Sequence, residues 1–335
     1  MANLDIQEII DSLTIVDDKR KYWFIRTQGG IYYDEFVVNN YVAIGYNEIS
    51  ISDLVKSNTG NDVGRAILEE IIRKAYPDEK RPNYIGNQLL DFAYNIKKGD
   101  IIVIPSNSTS KISIGEVLET PVYQPDLNAL NDNCPFEKRK KIKWLKTDIW
   151  FDSLDPQLIF LKYSHRSITS VDPYTAGLID RIITPVYIKE NDAHFSIDIR
   201  QTEPIKAFDL FETWVELFNL TEDIGKELDI QVNKEDFDTR INVQSPGTIE
   251  FISFGIEGIV ILSIIVAALV GAEINVDSKL IKFKIKTEGL IKAITNKMNA
   301  KMDIKLKESL VKKVNKMDID PKELIKLLEQ VNKRK

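Results

Sequence analysis

The sequence predicts an α+β protein: a small β-barrel with flanking helices in residues 1–190, then a separate α+β domain in residues 191–335 with a buried apolar helix and a Lys-rich helical tail. Three observations carry this expectation. Short β-type runs separated by Gly, Asn, Pro and Ser clusters fill most of the first half. The second half turns to long helical patterns around a few alternating strands. Finally, 335 residues exceed what one hydrophobic core usually accommodates, so two domains are expected.

Along the chain, Leu4, Ile6, Ile9, Ile10 and Leu13 recur at nearly helical spacing and predict a short helix that caps the barrel. Six short strands are expected over residues 22–26, 41–46, 100–105, 111–120, 141–145 and 158–163. Helices are expected over residues 62–75, where Val63, Ala66, Ile67 and Ile71 share a face, and over 87–96. Residues 172–188 open with one helical turn and end in an extended run, and the boundary is set near residue 190. Beyond it, Phe195, Ile197 and Ile199 alternate with Ser196 and Asp198, the pattern of a half-buried strand. A long amphipathic helix is expected over 204–228, with strands over 239–243 and 248–254 around the turn Ser245-Pro246-Gly247. Residues 258–272 carry no charge and are bracketed by Glu257 and Glu273. Fifteen residues fall short of the roughly 20 that a membrane helix usually needs, so a buried helix is expected and a membrane insertion is the alternative. Two further helices are expected over 290–314 and 321–331.

The composition, 43% hydrophobic and 29% charged, is that of a protein with a sizeable core. One cysteine, Cys134, and two histidines exclude an intrachain disulfide and a Cys/His zinc site, and neither a metal nor a cofactor is expected. The N-terminus has no basic region followed by an apolar stretch and a small-residue cleavage site, so a cytoplasmic location is expected. Charge is uneven. Residues 279–335 hold 17 Lys+Arg against 7 Asp+Glu, whereas residues 191–278 are strongly acidic. The basic tail can dock on that acidic middle or on a second copy, or it can touch phosphates or anionic lipid.

Tyr22-Trp-Phe-Ile-Arg-Thr-Gln-Gly-Gly30, then Tyr33-Asp-Glu-Phe36 and Tyr41-Val-Ala-Ile-Gly-Tyr46, open an ordered series. It continues with Gly86-Asn-Gln-Leu-Leu90, Lys98-Gly-Asp-Ile-Ile-Val103, Ile114-Gly-Glu-Val117 and Ile142-Lys-Trp-Leu145. The series resembles the PUA-like domain at the front of Mrr-type restriction proteins, which is related to the EVE and YTH readers of modified bases. The resemblance spans Tyr22 to about Ser170, and it departs at Tyr46, where the family commonly has Trp. It implies a barrel that senses nucleic acid, DNA rather than RNA, and a modified base in particular, within a prokaryotic anti-phage defence system. A homo-oligomer formed through the C-terminal domain and a defence partner protein are the further partners implied.

Such a pocket needs an aromatic face for stacking and polar groups for the base edge. The candidates are Trp23 within the first strand, Arg26, Thr27 and Gln28 at its end, with Gly29-Gly30 allowing close backbone approach, and Tyr46 and Asn47 after the second. Gln88, Pro105, Ser106, Asn107 and Trp144 complete the set. Trp23 and Phe24 alternate, so only one of them can face a pocket, and both also suit a core. Asn87 and Gln88 also suit a helix start, and His165 beside Arg166 suits a structural or surface role. Residues 137–146, EKRKKIKWLK, set Lys138, Arg139, Lys140, Lys141 and Lys143 around Trp144, as a phosphate-tracking surface requires. A strand edge guarded by lysines has the same pattern.

No catalytic constellation stands out. A metal-dependent nuclease needs an acid on one strand and an acid-x-Lys triplet on the next. The triplets beginning at Asp17, Asp78, Asp277, Asp303 and Asp320 do not follow convincing strands.

Overall fold

A computed structural model describes residues 2–58, 62–119, 121–125, 133–164, 166–241, 247–270, 273–275, 280–282, 289–320, 322, 324 and 325. The chain forms two compact units, Lys19–Ile183 and Met1–Asp18 with Thr184–Lys335, and both mix helices with strands. The N-terminal segment therefore belongs with the C-terminal half rather than with the first sheet. Its helix α1 (Ala2–Ser12) buries Ile6 and Ile9 in that core, and β1 (Thr14–Val16) adds in parallel to β8 (Val186–Lys189). The break between units falls at Ile183/Thr184, a few residues before the expected position.

The unit Lys19–Ile183 runs β2 (Tyr22–Ile25), α2 (Tyr33–Val38), β3 (Tyr41–Ile44), α3 (Ile51–Ser57), α4 (Asp62–Ala75), α5 (Pro82–Leu90), β4 (Ile101–Pro105), β5 (Lys111–Val117), β6 (Lys138–Trp150), α6 (Phe160–Tyr163), β7 (Ile168–Ser170) and α7 (Pro173–Ile183). The six strands form one sheet in the order β3-β6-β5-β4-β2-β7, curled into a half-barrel. β2 and β4 are parallel, and the other neighbours are antiparallel. Both faces of the central strands are covered, which explains their unbroken apolar runs. Trp23, Ile25, Ile102 and Ile104 join a core with Phe36, Leu68 and Leu89, whereas Tyr22, Phe24, Ile101 and Val103 join one with Leu158, Leu161 and Ile179. Gly115 is the close-packed position of the sheet. A Cβ there would lie 2.3 Å from Ile142 and 2.7 Å from Trp144, so the Gly-Glu-Val run reflects packing beneath an indole.

One expected strand is helical. Asp155 accepts the Gln157 N–H at 2.9 Å and starts a 3₁₀ turn over Pro156–Ile159 that continues into α6. Leu158 and Leu161 are buried three residues apart while Ile159 is exposed, a helical and not an alternating pattern. The sixth strand is β7 instead. The helix expected over 87–96 starts earlier, with Pro82 in its first turn, and ends in a π-helical turn over Asp91–Asn95.

The other unit carries β9 (Asp192–Ile199), α8 (Ala207–Glu227), β10 (Asp238–Ile241), β11 (Gly247–Ser253), α9 (Ile256–Leu269), β12 (Glu273–Asn275), β13 (Leu280–Lys282), α10 (Gly289–Lys301) and α11 (Ile304–Lys316). Its main sheet has the order β1-β8-β9-β11-β10. Every residue of α9 from Gly258 to Leu269 is buried, packed with Phe195, Trp214, Leu217, Ile294 and Leu310. Residues 258–269 of the uncharged run are thus the centre of a core. Among the described residues no helix is long and apolar enough to cross a membrane. The helical stretch expected over 290–314 is two helices, because Asp303 caps α11 by accepting the Leu306 N–H at 2.8 Å. The basic tail docks on the acidic middle: Lys297 and Lys301 pair with Glu227 at 2.7 and 2.9 Å, and Lys313 pairs with Glu212. The expected helix 321–331, the turn residues Ser245 and Pro246, His165 and the triplet from Asp277 lie wholly or largely outside the described residues.

Candidate nucleic-acid interface

Two loops follow the parallel strands β2 and β4 at the same end of the sheet, where open sheets with parallel strands commonly place their sites. The first holds Gln28, Gly29 and Gly30 at φ of 54°, 68° and 99°, and the second holds Ser108 and Thr109 at 52°. They touch. The buried Thr27 hydroxyl donates to the Pro105 carbonyl at 2.6 Å, and a Cβ on Gly30 would lie 2.3 Å from the Asn107 backbone. Gly30 is therefore required for the close approach. Ser106 closes its own loop by accepting the Lys111 N–H at 2.8 Å, and Gln28, Asn107 and Ser108 remain exposed. Arg26 is spoken for: its guanidinium donates to the Lys162 carbonyl at 3.0 Å and to the Ser164 carbonyl at 2.7 Å, tying the first loop to the segment after α6.

An aromatic and basic rim continues from these loops. The Ser110 carbonyl accepts the Phe151 N–H at 2.9 Å, and Lys111 pairs in register with Trp150. The Trp150 ring is 62% exposed, with the Lys111 amine 4.8 Å from its centroid. Lys162 lies 4.3 Å over the Phe151 ring, and the next residue, Tyr163, is 67% exposed. Trp150, Lys111, Lys162 and Tyr163 were not among the residues expected from sequence. Trp150 ends a strand whose neighbours alternate irregularly, and nothing local distinguishes an exposed indole from a core one.

The remaining expected residues serve the scaffold. Trp23 is buried and donates its indole N–H to Asp100 at 2.9 Å. Tyr46, at φ 63°, packs edge-on to Tyr76 at 5.8 Å, and burial raises its phenol above the ordinary value. Asn47 bridges the Pro135 carbonyl (2.7 Å) and the Glu137 N–H (3.2 Å). Gln88 is buried and accepts the Ile168 N–H at 2.6 Å, anchoring β7. Trp144 donates to the Phe36 carbonyl at 3.2 Å.

The basic strip divides. Lys138, Arg139 and Lys140 are buried, and so cannot track phosphates. At this point β6 is flanked by β3 on one side and by the Tyr123 backbone on the other, so it is not an edge. Lys138 donates to the Tyr46 and Ile49 carbonyls at 2.9 and 3.1 Å, and Arg139 to the Phe136 and Cys134 carbonyls at 2.9 Å each. The Lys140 amine has no hydrogen-bond partner among the described residues. Burial pushes the Lys138 and Lys140 amines down to about 8. Lys141 and Lys143 stay exposed, Lys141 beside Glu119 at 3.4 Å.

Among the described residues no three His, Cys, Asp or Glu side chains gather to hold a metal. Of the acids in the acid-x-Lys triplets, Asp303 caps α11 and Asp320 pairs with Arg200 at 2.7 Å. A buried polar cluster that the sequence reading passed over lies on the other unit's sheet. Glu250 accepts the Tyr187 hydroxyl at 3.0 Å and faces His194 Nδ1 at 3.0 Å, with Tyr187 and His194 stacked at 4.6 Å.

Residues 23–159 match the family model of a domain of unknown function, DUF8426. No curated protein and no solved structure matches the chain.

Proposed function

We propose that the unit Lys19–Ile183 is a PUA-like barrel that reads nucleic acid, binding a base of single-stranded or locally opened DNA at the ends of β2 and β4, and that the other unit is a separate domain serving assembly. The observation that carries this reading is the exposed Trp150 ring with the Lys111 amine beside it, next to the touching loops at residues 28–30 and 106–110. An exposed indole gives any base a stacking face, and the neighbouring Lys111 amine, 3.5 Å from the half-exposed Asp148 carboxylate, can exchange that partner for a phosphate. Gln28, Asn107 and Ser108 offer an amide, a second amide and a hydroxyl to a base edge. The resemblance to modified-base readers supports a modified cytosine or adenine as the preferred ligand.

Fluorescence anisotropy of the full chain with labelled single-stranded and duplex oligonucleotides, modified and unmodified, across a salt series tests the reading. Binding that favours single strands, weakens with salt and quenches tryptophan emission is expected. Binding no tighter than that of an unrelated acidic protein, or affinity unchanged in Trp150→Ala, overturns it.

A further inference from the structure

A second concavity in the unit Lys19–Ile183 shares no lining residue with the loops just described and lies between α4, α5, the π-helical turn and the residue Arg166 before β7. Its volume is about 310 Å³, near the lower end of small-molecule sites. Two guanidinium groups line it, Arg65 from α4 and Arg166, against a single carboxylate, Asp91. Neither arginine is neutralised. The Asp62 carboxylate is 3.9 Å from Arg65 and fully exposed, a pair of little strength in water, and among the described residues Arg166 makes no ion pair. Asp91 is partly engaged, accepting the Asn95 amide at 2.7 Å across the π-helical turn. The bond from the Ile168 N–H to Gln88 Oε1 fixes the backbone two residues beyond Arg166, and so holds that arginine at the rim.

We propose that this pocket binds a free nucleoside monophosphate. Two guanidiniums on one lining suit a doubly charged phosphate monoester, to which each can present two parallel N–H donors. Tyr84 supplies an aromatic wall, with the guanidinium of Arg81, the residue just before α5, 5.4 Å from its ring centroid. The Asn87 amide carries the donor and acceptor that a base edge requires. The volume is of the order of one nucleotide. The π-helical turn, a feature often found at functional sites, inserts an extra residue between Asp91 and Asn95 at the floor. The site shares no lining residue with the loops around Trp150, although Arg166 adjoins Ser167, whose carbonyl accepts the Arg26 N–H at 2.8 Å, so the two readings are separated by variants on each side.

Isothermal titration of the full chain with the four ribonucleoside 5′-monophosphates, their nucleosides and inorganic phosphate tests the assignment. At least one monophosphate is expected to bind one to one, with the nucleoside and phosphate each weaker by about tenfold or more. Arg65→Ala and Arg166→Ala are each expected to weaken binding by about tenfold or more, with partial recovery in the Lys variants. Trp150→Ala is expected to bind the nucleotide as the parent does, which separates this site from the proposed nucleic-acid surface. Absence of binding by all four monophosphates, equal binding of nucleoside or of phosphate alone, or parental affinity in both Ala variants overturns the proposal.

Discussion

The Trp23 indole donates its N–H to Asp100 Oδ2 at 2.9 Å, and the same buried carboxylate accepts the backbone N–H groups of Lys21 at 3.0 Å and Lys97 at 2.9 Å. A residue of the Gly-Asp run is thus the hub that joins β2 to the entry of β4. Its role is structural. Removing an acceptor that serves three buried or half-buried donors leaves them unpaired. Asp100→Ala is expected to destabilise the unit by about 3–5 kcal/mol, and Trp23→Phe by about 1–2 kcal/mol, read from urea unfolding followed by tryptophan emission and far-UV dichroism.

Lys138 and Lys140 make stability depend on pH in an unusual direction. Burial, only partly offset by Glu137 and Asp100 respectively, pushes their amines down to about 8 from the ordinary 10.5. Between these values the unfolded chain holds protons that the folded chain has released, so stability rises with pH across that window. Below about pH 8 both states are charged and the penalty is present in full. The urea midpoint is expected to increase from about pH 7.5 to about 9.5, before tyrosine ionisation favours the unfolded chain. Lys140→Met removes an unpartnered buried amine, and it is expected to stabilise the unit by about 1–3 kcal/mol at neutral pH and to flatten the rise.

The proposed nucleic-acid surface depends on one ring and one glycine. Trp150→Ala is expected to cost about 1–3 kcal/mol of binding to a single-stranded oligonucleotide, a loss of roughly 5- to 150-fold, with unfolding unchanged. Gly30→Ala sets a methyl into the Asn107 backbone at a φ of 99°, and is expected to lose binding along with about 1–3 kcal/mol of stability. Anisotropy titrations paired with melting curves distinguish the two effects.

Helix α9 is expected to tolerate no charge. Ile264 is fully buried, so Ile264→Ala should cost about 2–4 kcal/mol, and Ile264→Lys should leave the unit unfolded. Soluble yield and the denaturation midpoint measure both.

Glu250 is 1% exposed and serves Tyr187, His194 and Arg240, whose guanidinium is 3.5 Å away. Glu250→Ala strands the buried Tyr187 and His194, while the exposed Arg240 turns to water, and is expected to cost about 2–4 kcal/mol, and Glu250→Gln less, because its amide oxygen still accepts from Tyr187. Hydrogen exchange over β8, β9 and β11 reports where the loss falls.

Local pattern by itself determined much of this molecule: the mixed α+β class, five of the six strands in the first sheet, the limits of α4 at Asp62 and Ala75 and the buried nature of residues 258–269, but it left open whether the basic tail meets the acidic middle or another anion. The loops at Gln28–Gly30 and Pro105–Asn107 were also legible as turns, from the Gly29-Gly30 pair and the Ser-Asn-Ser-Thr-Ser cluster at 106–110. Only the tertiary structure decided which strands α1 and β1 join, that the Leu158–Tyr163 run is helical, that Lys138, Arg139 and Lys140 lie inside, and that Trp150 lies outside. The reason is physical. Spacing along the chain says which face of an element is apolar, but the burial of a strand depends on whether distant segments flank it. For β6 those segments are β3 and Tyr123, which come from residues far away in the sequence and leave no mark on the lysines they cover.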